Sequence, residues 1–507
     1  MVVRLMIVVA ILSWSAGAAA ASPFVHLGTY DSGANGGAEI AAYHAGTKQL
    51  YVNNTRAGSV DVIAITDPSA PRKVASIAIG AGGPTSVAVH GDWVAVAVQA
   101  ETSDAPGEVR FFAPDGTALG TATIGIAPDM LTFTPDGSKV VVANEGERGD
   151  MVDPIGGVSI VDVSKGPAAA TVTTLDFSAF DEGAARHGEL EPSVRIYTPG
   201  ASVAQDVEPE YVAISPDGER AWVTLQENNA LAVLDLETPR IVDVIGLGFK
   251  DHGVEGHGLD ASDRDGRINI QPWPVRGMYQ PDAIVAFVHD GEPYVVTANE
   301  GDSRQADDDE PGFKEEARVR DLDLETPLLD ELKDKKKLGR LKVTRTLGDT
   351  DGDGKYEALY SFGARSISVW RGDGSLVWDS GEQLARAVER ANPDCFNCNG
   401  APDERDTRSD DKGIEPEGLA LGLVGERRFV FVGLERVGGV AAFDIGDPTA
   451  PELAHYESQR RGDRSPEGLL FLPAATSPNG KAMLVLACEL SGTVSLWDVS
   501  GLARSRG

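Results

Sequence analysis

Cysteine, aromatic residues and basic residues are all scarce in this chain. Its 507 residues include three cysteines and 6% aromatics, and 45 Lys and Arg stand against 78 Asp and Glu, for a net charge of −33. Nucleic acid is therefore a poor partner, because neutralising phosphates needs clustered Lys and Arg. An anionic membrane surface is disfavoured for the same reason. The acidic balance favours cations or basic partners, or serves solubility alone.

Long apolar runs are missing after the first residues of the chain. Arg4 precedes an apolar run over Leu5–Trp14, and small residues follow as far as Ala21. This order predicts a secretory signal peptide over residues 1–21. The run is too short to span a bilayer, and the polar C-terminus Ser500–Gly507 indicates no lipid anchor. We therefore expect an exported, periplasmic or extracellular protein with no membrane insertion in its mature form.

The three cysteines do not form a metal-binding pattern. Cys395 and Cys398 lie in a polar stretch, and no second pair completes a zinc site. In an oxidising compartment this spacing predicts a local disulfide. Cys488 lies within an apolar run and is expected to be a buried free thiol.

A repeated pattern of four short, β-branched runs organises the chain. The clearest copy starts at Pro209, turns at Pro216-Asp217-Gly218 and continues through Ala221–Leu225, Ala230–Leu236 and Ile241–Ile245. This pattern is typical of four antiparallel strands joined by tight turns. Further copies start near Glu39, Pro84, Pro128, Pro281, Pro416 and Pro466.

Seven such units predict an all-β fold, a seven-bladed β-propeller of four-stranded antiparallel blades. An eight-bladed ring is the alternative if Lys355–Gly381 forms a blade of its own. We expect one domain over residues 22–507. Within the third of its insertions, Leu322–Leu338 has a pattern that predicts a short helix. The insertions fall near residues 178–204, 250–280, 301–346 and 382–413.

Acidic residues recur at two positions of the repeat, one at the start of the first strand and one just after the second. They are Asp129, Glu145, Glu210, Glu227, Asp282, Glu300, Glu417, Glu435, Glu467 and Glu489. In a blade the first strand lies innermost and the second runs antiparallel to it, so both positions should meet at one rim of the central channel. Asp302 and Arg304 follow closely and join this predicted rim.

Carboxylates crowded at one rim repel one another, and burial adds to the free-energy cost of their charge. Ca²⁺, Mg²⁺ or a cationic ligand would offset the repulsion. Arginines such as Arg304 and Arg436, or backbone amides, would do the same without any ligand. Structural pairing, cation binding and catalysis therefore all stay open at this point.

Two further acidic segments resemble cation-binding loops. Asp349, Asp351 and Asp353 alternate before a glycine at the sixth place, as in the first half of a calcium loop. Glu357, at the ninth place, is a further candidate ligand, whereas the twelfth place holds Tyr360 rather than Glu.

The second loop is shorter and has Asp263 and Asp265 before a glycine. For both loops an ordinary acidic turn is the alternative. The sequence shows no Gly-x-Ser-x-Gly elbow, His-Glu-x-x-His motif or phosphate-binding Gly-rich loop with Lys.

Several longer segments resemble the choice-of-anchor I proteins, bacterial relatives of the mesenchyme-specific cell-surface glycoproteins. They are Ala143–Glu147, Asp206–Tyr211, Gly277–Ala283, Asn299–Arg304, Leu338–Val343, Tyr360–Ser366 and Arg408–Gly413. The resemblance implies an extracellular propeller, often tethered to a surface and linked to calcium or mineral handling. Bacterial members are often labelled alkaline phosphatases.

Three functions follow as hypotheses. The first is a non-enzymatic binding propeller that holds calcium, another cation or a small ligand at the acidic rim. The second is a metal-dependent phosphoesterase, similar to an alkaline phosphatase or a phytase, in which rim-bound metal ions activate water. The third is a scaffold that binds an extracellular protein through its loops.

Overall fold

The computed structural model describes residues 22–80, 82–148, 152–304, 313–458 and 462–504. The predicted signal peptide, residues 1–21, lies outside the described residues. Among the helices of the described ranges, none combines the length and the apolar character that a membrane crossing requires.

Over the described residues the chain forms 33 strands. In chain order they are β1 (Val25–Asp31), β2 (Ala41–His44), β3 (Gln49–Asn54), β4 (Ser59–Ala64), β5 (Arg72–Ala78), β6 (Pro84–His90), β7 (Trp93–Val98), β8 (Pro106–Phe112), β9 (Ala118–Ile126), β10 (Pro128–Phe133), β11 (Lys139–Asn144), β12 (Gly157–Asp162), β13 (Thr171–Asp176), β14 (Pro209–Ile214), β15 (Arg220–Leu225), β16 (Ala230–Asp235), β17 (Arg240–Gly246), β18 (Phe249–Asp251), β19 (Arg276–Met278), β20 (Ile284–His289), β21 (Glu292–Asn299), β22 (Glu316–Arg318), β23 (Lys342–Thr344), β24 (Tyr360–Ser361), β25 (Ser366–Arg371), β26 (Leu376–Asp379), β27 (Pro416–Val424), β28 (Arg427–Leu434), β29 (Val440–Asp444), β30 (Glu452–Glu457), β31 (Pro466–Leu472), β32 (Met483–Cys488) and β33 (Thr493–Asp498).

Helices are few and short. The α-helices of the described chain are α1 (Val203–Asp206) and α2 (Gln383–Ala391). The 3₁₀ helices span Thr55–Ala57, Pro167–Ala169, Ser178–Phe180, His187–Glu189, Val319–Asp321, Asp330–Lys333, Pro393–Cys395, Pro402–Glu404 and Ser500–Arg504. Helix α2 was not predicted from the sequence, and it packs Leu384, Ala387 and Val388 into the interior.

Seven four-stranded antiparallel sheets carry the architecture. Six are built from β2–β5, β6–β9, β10–β13, β14–β17, β27–β30, and β20 with β21, β25 and β26. The seventh joins the two ends of the chain, because β1 pairs with β33 beside β32 and β31. Lys355–Gly381 does not form a sheet of its own, since β25 and β26 complete the sheet of β20 and β21.

The first strands of these sheets contact one another in a closed circuit. β2 contacts β6, then the contacts pass through β10, β14, β20, β27 and β31, and β31 contacts β2. Each sheet therefore has its first strand on the inside of a ring, which leaves no sheet as an open end. The predicted all-β propeller is confirmed.

The hairpins owe their turns to a recurring Asp-Gly pair. Asp136 accepts hydrogen bonds from the amide of Ser138 (3.0 Å) and from the hydroxyl of Thr134 (2.7 Å), while the next residue, Gly137, has φ 71°. Asp217 and Gly218 repeat this arrangement between β14 and β15 of the next sheet, with φ 79° at the glycine. Only glycine adopts such a φ at no steric cost, so the pair fixes the turn between first and second strands.

The middle strands form the core because they lie between neighbouring sheets. All six residues of β32 are buried, among them Cys488, the free thiol that the sequence predicted. The predicted disulfide between Cys395 and Cys398 is present as well, with Cα atoms 4.9 Å apart.

A five-stranded mixed sheet comes from the second and third insertions and the segment after them. Its order is β18, β19, β24, β23 and β22, with β19 and β24 parallel. It has a core of its own, which includes Trp273, Val319, Leu341 and Val343.

The helix predicted over Leu322–Leu338 is reduced to one 3₁₀ turn, Asp330–Lys333. Leu322, Leu328 and Leu338 pack into the insertion core, whereas Leu329 is 59% exposed. Buried positions spaced by six and ten residues do not share one helical face, so tertiary packing outweighs the local pattern.

Candidate functional site

Five first-strand acids each follow a proline at the inner edge of a sheet. The pairs are Pro128-Asp129, Pro209-Glu210, Pro281-Asp282, Pro416-Glu417 and Pro466-Glu467. In β10, β14, β27 and β31 the pairing register shifts directly after the proline. Such a β-bulge leaves the extra residue out of the hydrogen-bond ladder and changes the direction of its side chain. The acid is therefore free to leave the plane of its sheet.

Residues in the left-handed conformation stand directly before four of these prolines. They are Ala127, Gln280, Glu415 and Ser465, with φ of 48°, 42°, 48° and 60°. Residues other than glycine seldom adopt such a φ, so these turns are held by the surrounding structure. These positions hold no glycine, so the left-handed conformation could not be predicted from the sequence.

The same left-handed residues tie the second-strand acids to the first-strand acids. The amide of Glu145 donates to the carbonyl of Ala127 (2.8 Å), and the amide of Glu489 donates to that of Ser465 (2.9 Å). Glu435 does the same with Glu415 (2.9 Å). The two acidic positions of a sheet are thus brought side by side.

Acids of one sheet and of other sheets are close enough for their charges to interact. Burial raises the pKa of Glu210 well above its usual value, and the charges of Glu145 and Glu227 raise it further. Burial raises the pKa of Asp282 in the same way, with added repulsion from Glu300 and Asp129.

We call this group the carboxylate ring. It comprises the ten acids at the two repeat positions together with Glu39. Burial raises the pKa of Asp129 to about 6. It raises the pKa values of Glu145, Glu227, Glu417 and Glu467 well above the usual value.

Glu39 was missed as a site residue, although the sequence marked it as the start of a weak repeat. Burial raises its pKa to about 7, partly offset by a hydrogen bond from Thr55, and the charge of Glu489 raises it further. Asn53 also donates to it, at 2.9 Å. In the remaining sheet, Thr85 follows Pro84 at the equivalent bulge. The inner edge therefore carries six first-strand acids and one threonine.

Some of the ring acids have basic partners. Lys412 Nζ lies 2.7 Å from Glu300, and Arg436 Nε lies 2.9 Å from Glu435. Glu415, which stands between them, pairs with Arg408 at 2.7 Å. Carboxylate oxygens of Glu300, Glu415 and Glu435 lie within 4.8 Å of one another, but these bases already balance their charge. Structural pairing therefore accounts for this sector.

Arg304, by contrast, does not neutralise the charge of any ring acid. Its guanidinium lies 2.5 Å from Asp206 and 2.5 Å from Glu208, both buried. These carboxylates hold the pKa of Arg304 above its usual value against the opposing effect of burial. Asp302 lies 3.6 Å from Lys412 and is half exposed.

The other ring acids have no side-chain hydrogen bond or ion pair with any described residue. They are Asp129, Glu145, Glu210, Glu227, Asp282, Glu417, Glu467 and Glu489. Oε2 of Glu227 and Oε2 of Glu417 are fully enclosed without a hydrogen-bond partner, and Glu227 is 7% exposed. The buried carboxylate of Glu227 therefore carries a free-energy cost that a bound proton or a cation would offset.

The Asp349 loop closes on itself as a calcium loop would. Ligand oxygens of Asp349, Asp351 and Asp353 lie within 4.8 Å of one another. Glu357 belongs to a neighbouring acidic group, where it accepts hydrogen bonds from Thr350 (2.8 and 2.7 Å). The ammonium of a nearby lysine, Lys355, lies 3.1 Å from Asp353 and supplies one positive charge.

The shorter loop is occupied by arginines. Asp263 lies 2.5 Å from Arg340 and 3.1 Å from Arg264, and Asp265 lies 3.6 Å from Arg267. Guanidinium groups thus take the place that a cation would have.

The closed circuit of first strands defines a β-propeller. The β-bulges and the carboxylate ring give it an acidic axis. Comparison of the sequence with protein families matches the Choice-of-anchor I domain over residues 39–448. The chain belongs to this family.

Two curated relatives are similar in sequence. Gigasin-3a of Magallana gigas is 34% identical over 187 residues, which cover 32% of this chain and 66% of the relative. The mesenchyme-specific cell surface glycoprotein of Strongylocentrotus purpuratus is 30% identical over 334 residues, which cover 58% of this chain and 41% of the relative. The chain therefore spans less than two thirds of either relative.

Two solved structures match over most of the chain at a TM-score of 0.48. Hydrazine synthase of Kuenenia stuttgartiensis has 12% identity and covers 91% of this chain and 95% of its own. The Cps50 (Swd1) β-propeller domain of Myceliophteria thermophila has 9% identity and covers 94% and 99%.

Proposed function

We propose that this protein is a non-enzymatic binding propeller that holds a cation in the carboxylate ring. One observation carries the proposal. Eight ring acids have no partner among the described residues, and oxygens of Glu227 and Glu417 are enclosed without a hydrogen bond. A bound cation would remove both the repulsion and the missing contacts.

The proposal includes the blade count and the location. Each of the seven four-stranded sheets is a blade, and the five-stranded sheet is an insertion on the ring. An extracellular or surface location is supported by the family and by the printed name of the sea-urchin relative, a cell surface glycoprotein. A signal peptide over residues 1–21 would direct the chain there.

Calcium is the metal ion that the ring would suit best. Ca²⁺ takes six to eight oxygen ligands in flexible geometry, whereas Mg²⁺ demands a tight octahedron and gives up water reluctantly. Among the described residues no three of the eight unpartnered acids have ligand oxygens within 4.8 Å of one another, so side chains from separate sheets would have to move towards the ion. The flexible coordination of Ca²⁺ tolerates this better than the octahedron of Mg²⁺. The Asp349 loop is a second candidate calcium site, weaker because Lys355 already lies beside it.

Titration calorimetry on the metal-free chain tests the ring. We expect Ca²⁺ to bind and the paired substitution Glu210→Gln with Glu417→Gln to abolish that binding. Glu426→Gln is the matched control, since Glu426 is exposed in the turn between β27 and β28. If the ring variant binds Ca²⁺ as tightly as the control, the ring is not the site.

The phosphoesterase alternative has no supporting observation among the described residues. Arg304 and Lys412, which would bind phosphate beside metal ions, are each engaged by carboxylates. Turnover of a phosphomonoester by the Ca²⁺-loaded chain, lost on chelation, would replace the binding function with this one.

A further inference from the structure

A small cavity lies between the second insertion, the fourth insertion and the segment that precedes β25. Its lining includes His252 and Asp260 from the second insertion, Arg365 from the segment before β25, and Asn397 from the fourth insertion. None of the ring acids is among its lining residues. The enclosed space has room for about one water molecule. A ligand of this cavity is therefore very small, and its site is separate from the carboxylate ring.

Three of the lining residues each have one enclosed polar atom without a hydrogen-bond partner among the described residues. The atoms are Nε2 of His252, Nε of Arg365 and Oδ1 of Asn397. The three residues are 1%, 7% and 2% exposed. A polar atom that leaves water without a new hydrogen bond costs free energy. Because three such atoms come from separate segments to one cavity, they point to a shared ligand.

The hydrogen bond at the other nitrogen of His252 decides what Nε2 can do. Nδ1 of His252 lies 2.7 Å from the carbonyl of His257 and donates to it, since a carbonyl only accepts. Burial holds the pKa of His252 well below its usual value, and the charge of Lys250 lowers it further, so the imidazole is neutral. Nε2 is therefore an acceptor.

The free atoms of Arg365 and Asn397 are defined in the same way. The two terminal nitrogens of Arg365 donate to three backbone carbonyls, which leaves its Nε–H as a free donor. Nδ2 of Asn397 donates to the hydroxyl of Ser409 (2.8 Å), and that hydroxyl donates to Asp406 (2.6 Å). Oδ1 of Asn397 is therefore a free acceptor. The cavity thus presents one donor and two acceptors.

We propose that this cavity binds one water molecule as a structural ligand, which accepts from Arg365 and donates to His252 and Asn397. Water has two donors and two acceptor positions, so it satisfies all three free atoms. Buried waters typically make about three hydrogen bonds. A metal ion or ammonium would lie beside the guanidinium of Arg365, and a halide would face the lone pairs of two acceptors. The water ties both insertions to the segment before β25.

A high-resolution crystal structure of the chain, grown with bromide in place of chloride, tests the ligand. We expect one density peak within hydrogen-bond distance of all three free atoms, without an anomalous signal. An anomalous peak at this place overturns the proposal in favour of an anion, and an empty cavity overturns it outright.

Nitrogen-15 NMR of the histidine side chains tests the donor and acceptor assignment in solution. We expect the spectrum at pH 7.5 to show a proton on Nδ1 of His252 and none on Nε2. A proton on Nε2 overturns the proposal, because the site would then present two donors rather than two acceptors.

Two variants test the structural role of the water. Ala385→Val adds two carbon atoms at a position that lines the cavity and should displace the water, whereas His252→Phe removes one of its acceptors. The amide of Leu259, which donates to the carbonyl of Gln271, should then exchange with solvent about tenfold to hundredfold faster. Gln383→Val, at an exposed position of α2, is the matched control. Exchange as slow as in the parent chain in both variants overturns this role.

Discussion

Replacing Glu227 by Gln isolates the free-energy cost of one unpartnered ring carboxylate. Glu227 is 7% exposed, and its Oε2 has no hydrogen-bond partner among the described residues. Burial raises its pKa well above the usual value, and the charges of Glu208 and Asp302 raise it further. Gln keeps the shape of the side chain and removes the charge.

In cation-free buffer at pH 8 the variant should therefore be more stable than the parent chain. Removing an unsatisfied buried charge gains about 1–3 kcal/mol. A chain of 507 residues unfolds with an entropy of about 1 kcal/mol/K, so Tm should rise by about 1–3 °C. At about pH 4 the gain should almost vanish, because Glu227 is then protonated and as neutral as Gln in the folded chain, and largely so in the unfolded chain as well.

The advantage of the variant should shrink when cation is added. Saturation at a hundred times Kd stabilises the parent chain by about 2.7 kcal/mol. The variant, lacking one acceptor, should bind about tenfold to hundredfold more weakly and gain less, by about 1–2 kcal/mol. Differential scanning calorimetry at both pH values, with and without Ca²⁺ and with Glu426→Gln as control, measures this change. A lower Tm for the variant in cation-free buffer at pH 8 would refute the reasoning.

Four further outcomes are expected. Arg304→Gln should cost about 3–5 kcal/mol in calorimetry, because it leaves Asp206 and Glu208 buried without a counter-charge, and an unchanged Tm contradicts this. Burial raises the pKa values of Asp129 and Glu39 to about 6 and about 7, so the folded chain holds these protons more tightly than the unfolded chain. Cation-free protein should therefore lose stability as the pH rises through these values. A pH series of Tm values that rises over this range would be inconsistent with this prediction. Replacing both disulfide cysteines by Ser should cost about 2 kcal/mol in urea unfolding, since the bridge closes a loop of four residues; no change would show that the bridge is dispensable. Tb³⁺ luminescence excited through Tyr356 should fall in Asp349→Asn, and equal emission from both proteins removes the loop from the list of metal sites.

The scaffold of this propeller could be predicted from local pattern. Runs such as Ala230–Asp235 and turns such as Asp217-Gly218 specify strands and hairpins from neighbouring residues alone. Strand alternation and turn chemistry act over a few residues, so they survive in the sequence as a repeat. The positions of ten ring acids could be predicted as well, because these acids occur at two fixed positions of the repeat unit and recur when the unit recurs.

The structure of the insertions could not be predicted in the same way, because their strands pair across long stretches of chain. β19 pairs in parallel with β24, more than 80 residues later by their bounds of Arg276–Met278 and Tyr360–Ser361. The helical pattern over Leu322–Leu338 gave way to packing in that insertion core. Nothing within the segment itself indicated its partners.

The sequence by itself determined that acids recur at the inner edge of a closed ring of sheets. Only the tertiary structure decided which of them are neutralised. Lys412 reaches Glu300 across 112 residues, whereas Arg304 reaches Asp206, outside the ring, across 98 residues, and no local spacing encodes that choice. The tertiary structure also places Glu39 in the ring and leaves Oε2 of Glu227 without a hydrogen-bond partner among the described residues. The physical reason is that burial and pairing depend on closure of the ring, which brings together residues that the chain keeps far apart.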